Sequence, residues 1–569
     1  MATTAGVRAA DEPPVRERPA WRPRVPGLVA WVVRLAAVFA VLDLVHPPEG
    51  RPHLHSRPLA GVVNGSVFAA AVFAAGAMLV LAGGLKRRKR RAWGFAVGAV
   101  VLATIAHVPA HRWSVVAVNA AVLLLLLVAR RDFTAVSERT GRIVALRVFL
   151  VMGTVSVVSG LFLTSRTAPR SGMGERLGQV FVGLLGFTPD LEFPTPITSN
   201  VTEIALNTLG ALTALLTLLT LLAPARKPST LSPVAEDGLR GLLARFGTRD
   251  SLGYFALRGD KTAIFSPSGK AAVVYRVVGG VTLAAGDPLG DPEAWPGAIH
   301  AWLEEADRYA WIPGVVGASE DGAIAYQRAG LDSLELGDEA VLHLDEFSLD
   351  GRSMRVVRQA VNRVRRAGYT LDVHRQRDLS PDELAEAETT AEALRGEEVE
   401  RGFSMALGRL GDERDPELVV ARCRDADGRL VAVLTFVPWG SDGLSLDLMR
   451  RARESENGTV EFVVVGVAEA AKELGVRHIS LNFAVFRSVF ERGARVGAGP
   501  VLRLWHKLLV IASRWWQIES LYRANAKYQP EWVPRFVCFR RAGELPRVGM
   551  AALEAEAFVQ FPRLRWLAR

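Results

Sequence analysis

Nearly every long apolar run in this chain falls before residue 225, and that asymmetry decides the architecture. A helix needs about 20 residues to cross a hydrocarbon core. Gly27–Val45, Leu59–Gly84, Ala92–Ala110, Ile143–Leu163 and Glu203–Pro224 meet that length, and Trp113–Ala129 is shorter but almost purely apolar. Six membrane helices are therefore expected over 27–225. The preceding residues 1–26 form a polar, Pro/Arg-rich tail, so no cleavable signal peptide of ordinary form is expected. The loops carry the orientation. Arg8, Arg16, Arg18, Arg22 and Arg24, the run Lys86–Arg91, Arg130 and Arg131, and Arg226 and Lys227 all fall on one side in an alternating count. The intervening loops, Pro47–Pro58 and Thr164–Thr202, are longer or less basic. Basic loops stay inside, which predicts a multi-pass protein of the inner (plasma) membrane with residues beyond 225 in the cytoplasm.

Some polar features of this half carry less. Arg34 and Arg147 lie inside apolar runs near the basic end, where snorkelling explains them more simply than a lipid or ion path. Leu177–Phe187 is too short to span and reads as re-entrant or surface-lying. His53 and His55 in a Pro-rich loop are a weak metal signal, and no metal or cofactor site is expected. The two cysteines, Cys423 and Cys538, are far apart and support neither a disulfide framework nor a thiolate site. Lys+Arg 69 against Asp+Glu 59 suits an anionic partner.

From about Ser229 the pattern becomes α+β. Ala271–Val278 and Val281–Ala285 read as strands joined by Gly279-Gly280. Arg429–Val437, Gly443–Met449, a helix over Thr459–Glu473 and Val476–Phe483 give strand–turn–strand–helix–strand, the middle of an acetyltransferase-like (GNAT) core. The earlier segment repeats this faintly, so tandem GNAT-like acyltransferase lobes are expected at 229–350 and 369–545, with 546–569 as an extension. Between them, 351–368 reads as a basic amphipathic helix. Arg352, Arg355, Arg358, Arg363, Arg365 and Arg366 share one side, and Val356, Val357, Ala360, Val361 and Val364 the other. No Asp or Glu interleaves to pair with the arginines, which favours phosphates of tRNA or lipid over a plain solvated face. Ala494–Gly499 lacks the first polar residue of a pyrophosphate loop, and no P-loop, HExxH helix or GxSxG elbow occurs. ATP hydrolysis, zinc proteolysis and serine-triad hydrolysis are unsupported.

Several motifs carry a family resemblance. They are Gly286-Asp287-Pro288, the run Ser445–Arg450, Asn457-Gly458, Asn482–Gly493, Trp515–Tyr522 and Lys527–Arg535. Together they resemble the phosphatidylglycerol aminoacyltransferases of the MprF family, especially the actinobacterial LysX-like branch. The resemblance implies transfer of an amino acid from aminoacyl-tRNA to the glycerol hydroxyl of phosphatidylglycerol. Lysine is favoured, membrane charge would fall, and cationic peptides would be resisted. Six helices are fewer than larger members carry, the chain ends at Arg569 without a lysyl-tRNA synthetase domain, and Asn525 stands where many members have a basic residue.

Within that reading, Asp447, Glu461 and Arg450 are the catalytic candidates. Asp447 and Glu461 would hold an amino group or assist deprotonation. Strand alternation places Asp447 on the face of Ser445 and Met449, and a salt bridge to Arg450 is its structural alternative. Asn482, Lys527, Arg535 and Asp287 are candidates for substrate binding, and Arg355, Arg358, Arg365 and Arg366 for tRNA or lipid phosphate. Trp505, Trp515, Trp516 and Trp532 read mostly as core. Transfer to diacylglycerol or a peptidoglycan precursor, and a non-catalytic lipid- or RNA-binding protein, stay open, as does a homo-oligomer.

Overall fold

The computed structural model describes residues 27–35, 76–107, 113–133, 135, 139–185, 195–223, 230–396, 402–471, 473–485 and 524–559. His53, His55, Trp505, Ala494–Gly499, the whole Trp515–Tyr522 motif and the later part of the motif beginning at Asn482 lie outside them. The chain divides into two compact units, with the boundary between Ala225 and Arg226.

The first unit is helical: α1 (27–35), α2 (Gly76–Lys86), α3 (Arg90–His107), α4 (Trp113–Val128), α5 (Arg139–Thr167), α6 (Met173–Leu184) and α7 (Pro196–Leu221). Gly141–Thr167 and Ile197–Leu221 are long and apolar enough to cross a membrane, and shorter described helices fall on each of the other four expected runs. Their polarity is inverted relative to a water-soluble bundle. Along α5, Ile143, Leu146, Phe149, Leu150, Val158 and Phe162 face outward, whereas Ser156 and Thr164 are buried. Ser156 Oγ meets Thr213 Oγ1 at 2.9 Å, and Thr202 Oγ1 donates to Thr167 Oγ1 at 3.0 Å. Apolar outside and hydroxyl-bonded inside is the arrangement that hydrocarbon solvent selects. The basic ends converge: Lys89 Nζ donates to Leu222 O, and Lys89 forms a β-bridge with Ala135. The segment expected to be too short to span is the 12-residue α6, packed on α5 and α7.

The second unit is built on one mixed sheet. Its first half holds α8 (Pro233–Phe246), β1 (Thr262–Phe265), β2 (Ala271–Val278), β3 (Val281–Ala285), β4 (Leu289–Gly290), α9 (Trp295–Tyr309), β5 (Ile312–Ala318), α10 (Glu320–Arg328) and β6 (Asp332–His343). The second half holds α11 (Arg355–Arg366), β7 (Thr370–Arg375), α12 (Pro381–Arg395), β8 (Val419–Arg424), β9 (Leu430–Trp439), β10 (Gly443–Arg451), α13 (Thr459–Ala470), β11 (His478–Val485), β12 (Glu531–Phe539) and α14 (Leu545–Ala555). Each half contains an antiparallel hairpin, then a helix, then a strand parallel to the hairpin's second strand: β2-β3-α9-β5 and β9-β10-α13-β11. The expected strand order and Gly279-Gly280 hairpin are present, and the tandem repeat is visible as this duplicated topology.

The sheet order is β1-β2-β3-β5-β12-β6-β11-β10-β9-β8-β7. The halves thus exchange strands. β6, from the first half, pairs with β11 of the second, and β12, from the end of the second, pairs with β5 of the first. β6 and β12 pair with each other along the seam.

A buried ion network sits on that seam. Arg535 of β12 has a side chain only 4% exposed. Its Nε and Nη2 grip Glu339 of β6, and Nη1 reaches Asp250 at 2.8 Å and the Gly317 carbonyl at 3.2 Å. Nη2 also donates to Ser251 Oγ at 2.6 Å. A guanidinium has five N–H donors, and all five are used. Glu339 in turn accepts from Ser251 Oγ and from Ser480 Oγ of β11. The expectation that Arg535 contacts substrate gives way here, because no donor and almost no surface is left to offer. Removing one member of a buried pair strands the others, at about 3–5 kcal/mol. We expect Arg535→Met to lower the melting temperature of the second unit sharply, and Arg535→Met with Glu339→Leu to recover part of the loss. A thermal melt of the detergent-solubilised chain checks both.

Candidate active site

β10 and β11 run parallel for only three residue pairs, Gly443↔His478 to Ser445↔Ser480, and then part. Two irregularities border the opening. On β10 the pairing with β9 shifts between Leu446 and Leu448, leaving Asp447 as the extra residue. On β11 the pairing with β6 shifts between Ser480 and Phe483, and Asn482 there adopts φ 66°. Bulges re-aim side chains, and Asn is among the few residues that accept left-handed backbone at modest cost.

Asn482 spans the opening. Its Nδ2 donates to the Leu446 carbonyl at 2.6 Å, and its backbone N–H donates to Ser480 Oγ at 3.2 Å. Because a carbonyl can only accept, the amide orientation is fixed. Oδ1 is then left buried with no partner among the described residues. Asn482 was expected to donate to an ester carbonyl; the geometry makes it an acceptor instead.

The bulge also changes which side chains share a face. Leu446 packs with the α11/α13 core, whereas Leu448 packs with Ala387 and Ala391 of α12. The expected alignment of Asp447 with Met449 is therefore broken, and Met449 is exposed. Asp447 Oδ1 accepts from Leu407 N at 2.6 Å, and Oδ2 from Thr435 Oγ1 at 3.1 Å. Burial pushes the Asp447 carboxyl up to about 6 against the opposing pull of these donors.

The segment that Asp447 grips was not singled out in the sequence. Its backbone is fixed at several further points. Phe403 N and Ser404 N donate to Glu556 at 2.7 and 3.0 Å, and Arg258 Nη1 donates to Ala406 O at 2.9 Å; the Arg409 side chain adds a bond from Nη1 to Leu257 O at 3.1 Å. Lys261 lies under the Phe403 ring at 4.8 Å, with its amine lowered to about 7 by burial. The signal available was a glycine-bounded apolar run, Gly402–Gly408, in a chain region otherwise rich in charge.

On the other face of the sheet, Glu461 in the first turn of α13 pairs with Lys527 Nζ at 2.5 Å. Asp447 and Glu461 thus have different partners. Tyr528, also missed, is buried with its hydroxyl unpartnered among the described residues. Burial, then the Glu461 charge, raise its pKa well above the usual phenol range. Arg450 lies further along β10 opposite Val433. Trp532 packs against the α11/α13 core. Asp287 sits in the first half. It accepts from Ser319 N at 2.8 Å and Oγ at 2.5 Å, and burial and Asp250 raise it to about 7. Its side chain is thus held by Ser319, the N-cap of α10.

The arginine helix docks beside the start of α13. Gly458, at φ 105°, lies so close to Ala360 that a Cβ would stand 2.8 Å from the Ala360 methyl. Val357, Val361 and Val364 are buried as expected, but Val356 is 66% exposed. The arginines are also less uncompensated than the sequence indicates. Arg365 pairs with Glu469 of α13 at 3.0 Å, and Arg358 donates to the Leu349 and Gly351 carbonyls. The missing acids come from a different helix. Arg363, Arg365 and Arg366 still line an open groove of about 690 Å³ with Gln359 and Asn362, and Arg355 is exposed.

If the ionised Asp447 fixes the 402–409 segment, the aminoacyl transfer that the motifs imply should fall as pH drops through about 6. The raised pKa means that ionisation costs the folded state, so stability should move oppositely and decline as pH rises from the ordinary carboxylate range through 6. Asp447→Asn should flatten both profiles, measured as initial rates and melting temperatures across pH 4–8.

Comparison with known proteins bears on what this geometry serves. The family model for the C-terminal region of phosphatidylglycerol lysyltransferase matches residues 240–539, and that for the transmembrane region of lysyl-tRNA synthetase matches 21–222. The lysylphosphatidylglycerol biosynthesis bifunctional protein LysX of Mycobacterium avium (strain 104) is 43% identical over 95% of this chain and 47% of its own length. Its counterpart in Rhodococcus opacus (strain B4) is 48% identical over 85% of this chain and 44% of its own length. The chain thus spans about half the length of these curated relatives. Among solved structures, that of L-PGS from Bacillus licheniformis has a TM-score of 0.51 at 22% identity, covering 59% of this chain and 99% of that one, a likeness of fold. Since the lysyltransferase model matches more than half of its residues, the chain belongs to the phosphatidylglycerol lysyltransferase C-terminal family.

Proposed function

We propose that this chain transfers lysine from lysyl-tRNA to phosphatidylglycerol at the opening between β10 and β11. The observation that carries the reading is Asn482 Oδ1, which has no partner among the described residues and lies in that opening beside the Asp447 bulge. A buried acceptor of this kind awaits a donor, and the ammonium of an aminoacyl group is one. The names of the relatives, which specify lysylphosphatidylglycerol biosynthesis, favour lysine.

In this reading the tRNA lies along α11, with Arg355, Arg363 and Arg366 on its phosphates. Arg358 and Arg365 shape the helix more than they bind. The docking of α11 beside the start of α13 brings the acceptor end to Glu461 and Lys527. Lys527 turns to a terminal phosphate and frees Glu461 to take the glycerol hydroxyl proton. The hydroxyl oxygen then attacks the ester carbonyl, the bond from that carbonyl to the tRNA terminal oxygen breaks, and the leaving oxygen takes the proton that Glu461 had removed. One ester replaces another, so no further energy source is needed. Positioning two such reactants can supply about 7–11 kcal/mol, and a base about 10²–10⁴-fold. Asp447 acts by holding the 402–409 segment. The converged basic ends of the first unit support placing the second unit on the cytoplasmic side of the inner membrane, where charged tRNA is found.

Expression in a host without aminoacylated lipids, followed by lipid extraction and mass spectrometry, tests this. Lysyl-phosphatidylglycerol should accumulate with the parent chain and fall at least tenfold with Asn482→Leu at equal membrane abundance. An unchanged lipid profile with the parent chain, given ample lysyl-tRNA, would refute the reading. A different aminoacylated acceptor would refute its lipid assignment.

A further inference from the structure

The first unit holds polar groups that the transfer reaction does not use. α5 and α7 are antiparallel, registered by Ser156–Thr213 and Thr167–Thr202. α6 lies along α7 in the same sense as α7. A Cβ on Gly183 would stand 2.7 Å from the Leu206 side chain, and one on Gly210 would collide with the Leu184 carbonyl at 1.9 Å. One to two turns back, this register sets Gln179 and Arg176 of α6 level with the Asn200–Glu203 stretch of α7, with Asn207 one turn deeper. Gln179 is 2% exposed, Asn207 8% and Glu203 9%. Among the described residues, Arg176 Nε, both Gln179 amide atoms, Asn200 Oδ1 and Asn207 Oδ1 are buried without a hydrogen-bond partner. Glu203 Oε1 accepts one bond, from Ser199 Oγ at 3.3 Å.

Unsatisfied buried polar groups cost about 1–3 kcal/mol each, so several together at one place point to a ligand that completes them. Acceptors dominate: three amide oxygens and a carboxylate against Gln179 Nε2 and one guanidinium N–H. That imbalance fits a cation bearing N–H groups, and the guanidinium fits a phosphate. The depth is also informative. Asn207 lies eleven residues into α7, about 16 Å from its start at 1.5 Å per residue, so the cluster runs inward from the end of a spanning helix, where headgroups lie. It is the end opposite the one at which Lys89 meets Leu222.

We propose that this end of the membrane unit binds a phospholipid headgroup carrying both a phosphate and a primary ammonium, with Arg176 on the phosphate and Glu203, Asn200, Asn207 and Gln179 around the ammonium. An ethanolamine lipid and an aminoacylated lipid share that chemistry. Phosphatidylglycerol lacks the cation, and a choline headgroup has the charge but no N–H. The site does not depend on the transferase reading, and either can fail alone.

The full chain in nanodiscs of equimolar phosphatidylethanolamine, lysyl-phosphatidylglycerol, phosphatidylglycerol and phosphatidylcholine, followed by native mass spectrometry of retained lipid, tests it. One of the two primary-ammonium lipids should be retained several-fold over both others, and which one identifies the source. Glu203→Gln and Asn207→Leu should each erase the preference while lipid transfer in the same preparations stays at the parent rate. Equal retention of all four lipids by the parent chain, or a preference untouched by both variants, would overturn the proposal and leave the cluster as interhelical packing.

Discussion

The second unit depends on one ion network. Arg535, Glu339, Asp250, Ser251 and Ser480 lie where β12, β6 and β11 meet, and they join segments that are hundreds of residues apart in the chain. Without that junction the exchanged strands β6 and β12 would lose this polar anchor of their register, because an apolar seam tolerates slippage better than a guanidinium with five placed hydrogen bonds. The same network reaches the opening: Ser480 receives the Asn482 N–H, and Ser445 Oγ donates to the Ser251 carbonyl at 2.7 Å. The strands that diverge at the candidate site are thus anchored just before they diverge.

This organisation explains why residues in recognisable motifs divide into two kinds. Arg535 and Asp287 are buried scaffold, whereas Asn482, Glu461 and Lys527 stand at or near the opening with exchangeable or unfilled hydrogen-bonding capacity. Asp447 lies between these kinds, since its carboxylate contributes through the 402–409 backbone that it holds. A charged residue in a motif marks that geometry matters there; only the partner list tells which geometry.

Much of the architecture was legible in the sequence. The apolar runs before residue 225, the Gly279-Gly280 hairpin, and the order of β9, β10, α13 and β11 follow from local periodicity, which local backbone preferences enforce. What was not legible is non-local. Strand exchange through β6 and β12 leaves no periodic trace. The β10 bulge undoes the two-residue alternation used to place Asp447 beside Met449. The partner of Arg365 is Glu469, 104 residues away, so counting charges within one helix overstates its free cations. Thr435 has no distinctive residue type, and the glycines that bound the Gly402–Gly408 run mark a loop without showing that Asp447 grips it.

The two units obey opposite solvents. In the first, Ile143, Phe149 and Phe162 turn outward and hydroxyls pair inside; in the second, valines of α11 and α13 fill the interior and arginines face out. The proposed reaction, between a soluble polyanion and a lipid, calls for both kinds of surface. The most direct test of the site is hydrogen-exchange mass spectrometry of the purified chain with lysinamide, a minimal mimic of the aminoacyl end. The account predicts slowed exchange at 405–409, 444–448 and 480–482. Protection confined to α11 or to the surroundings of Asp287, with the β10/β11 opening unchanged, would contradict it.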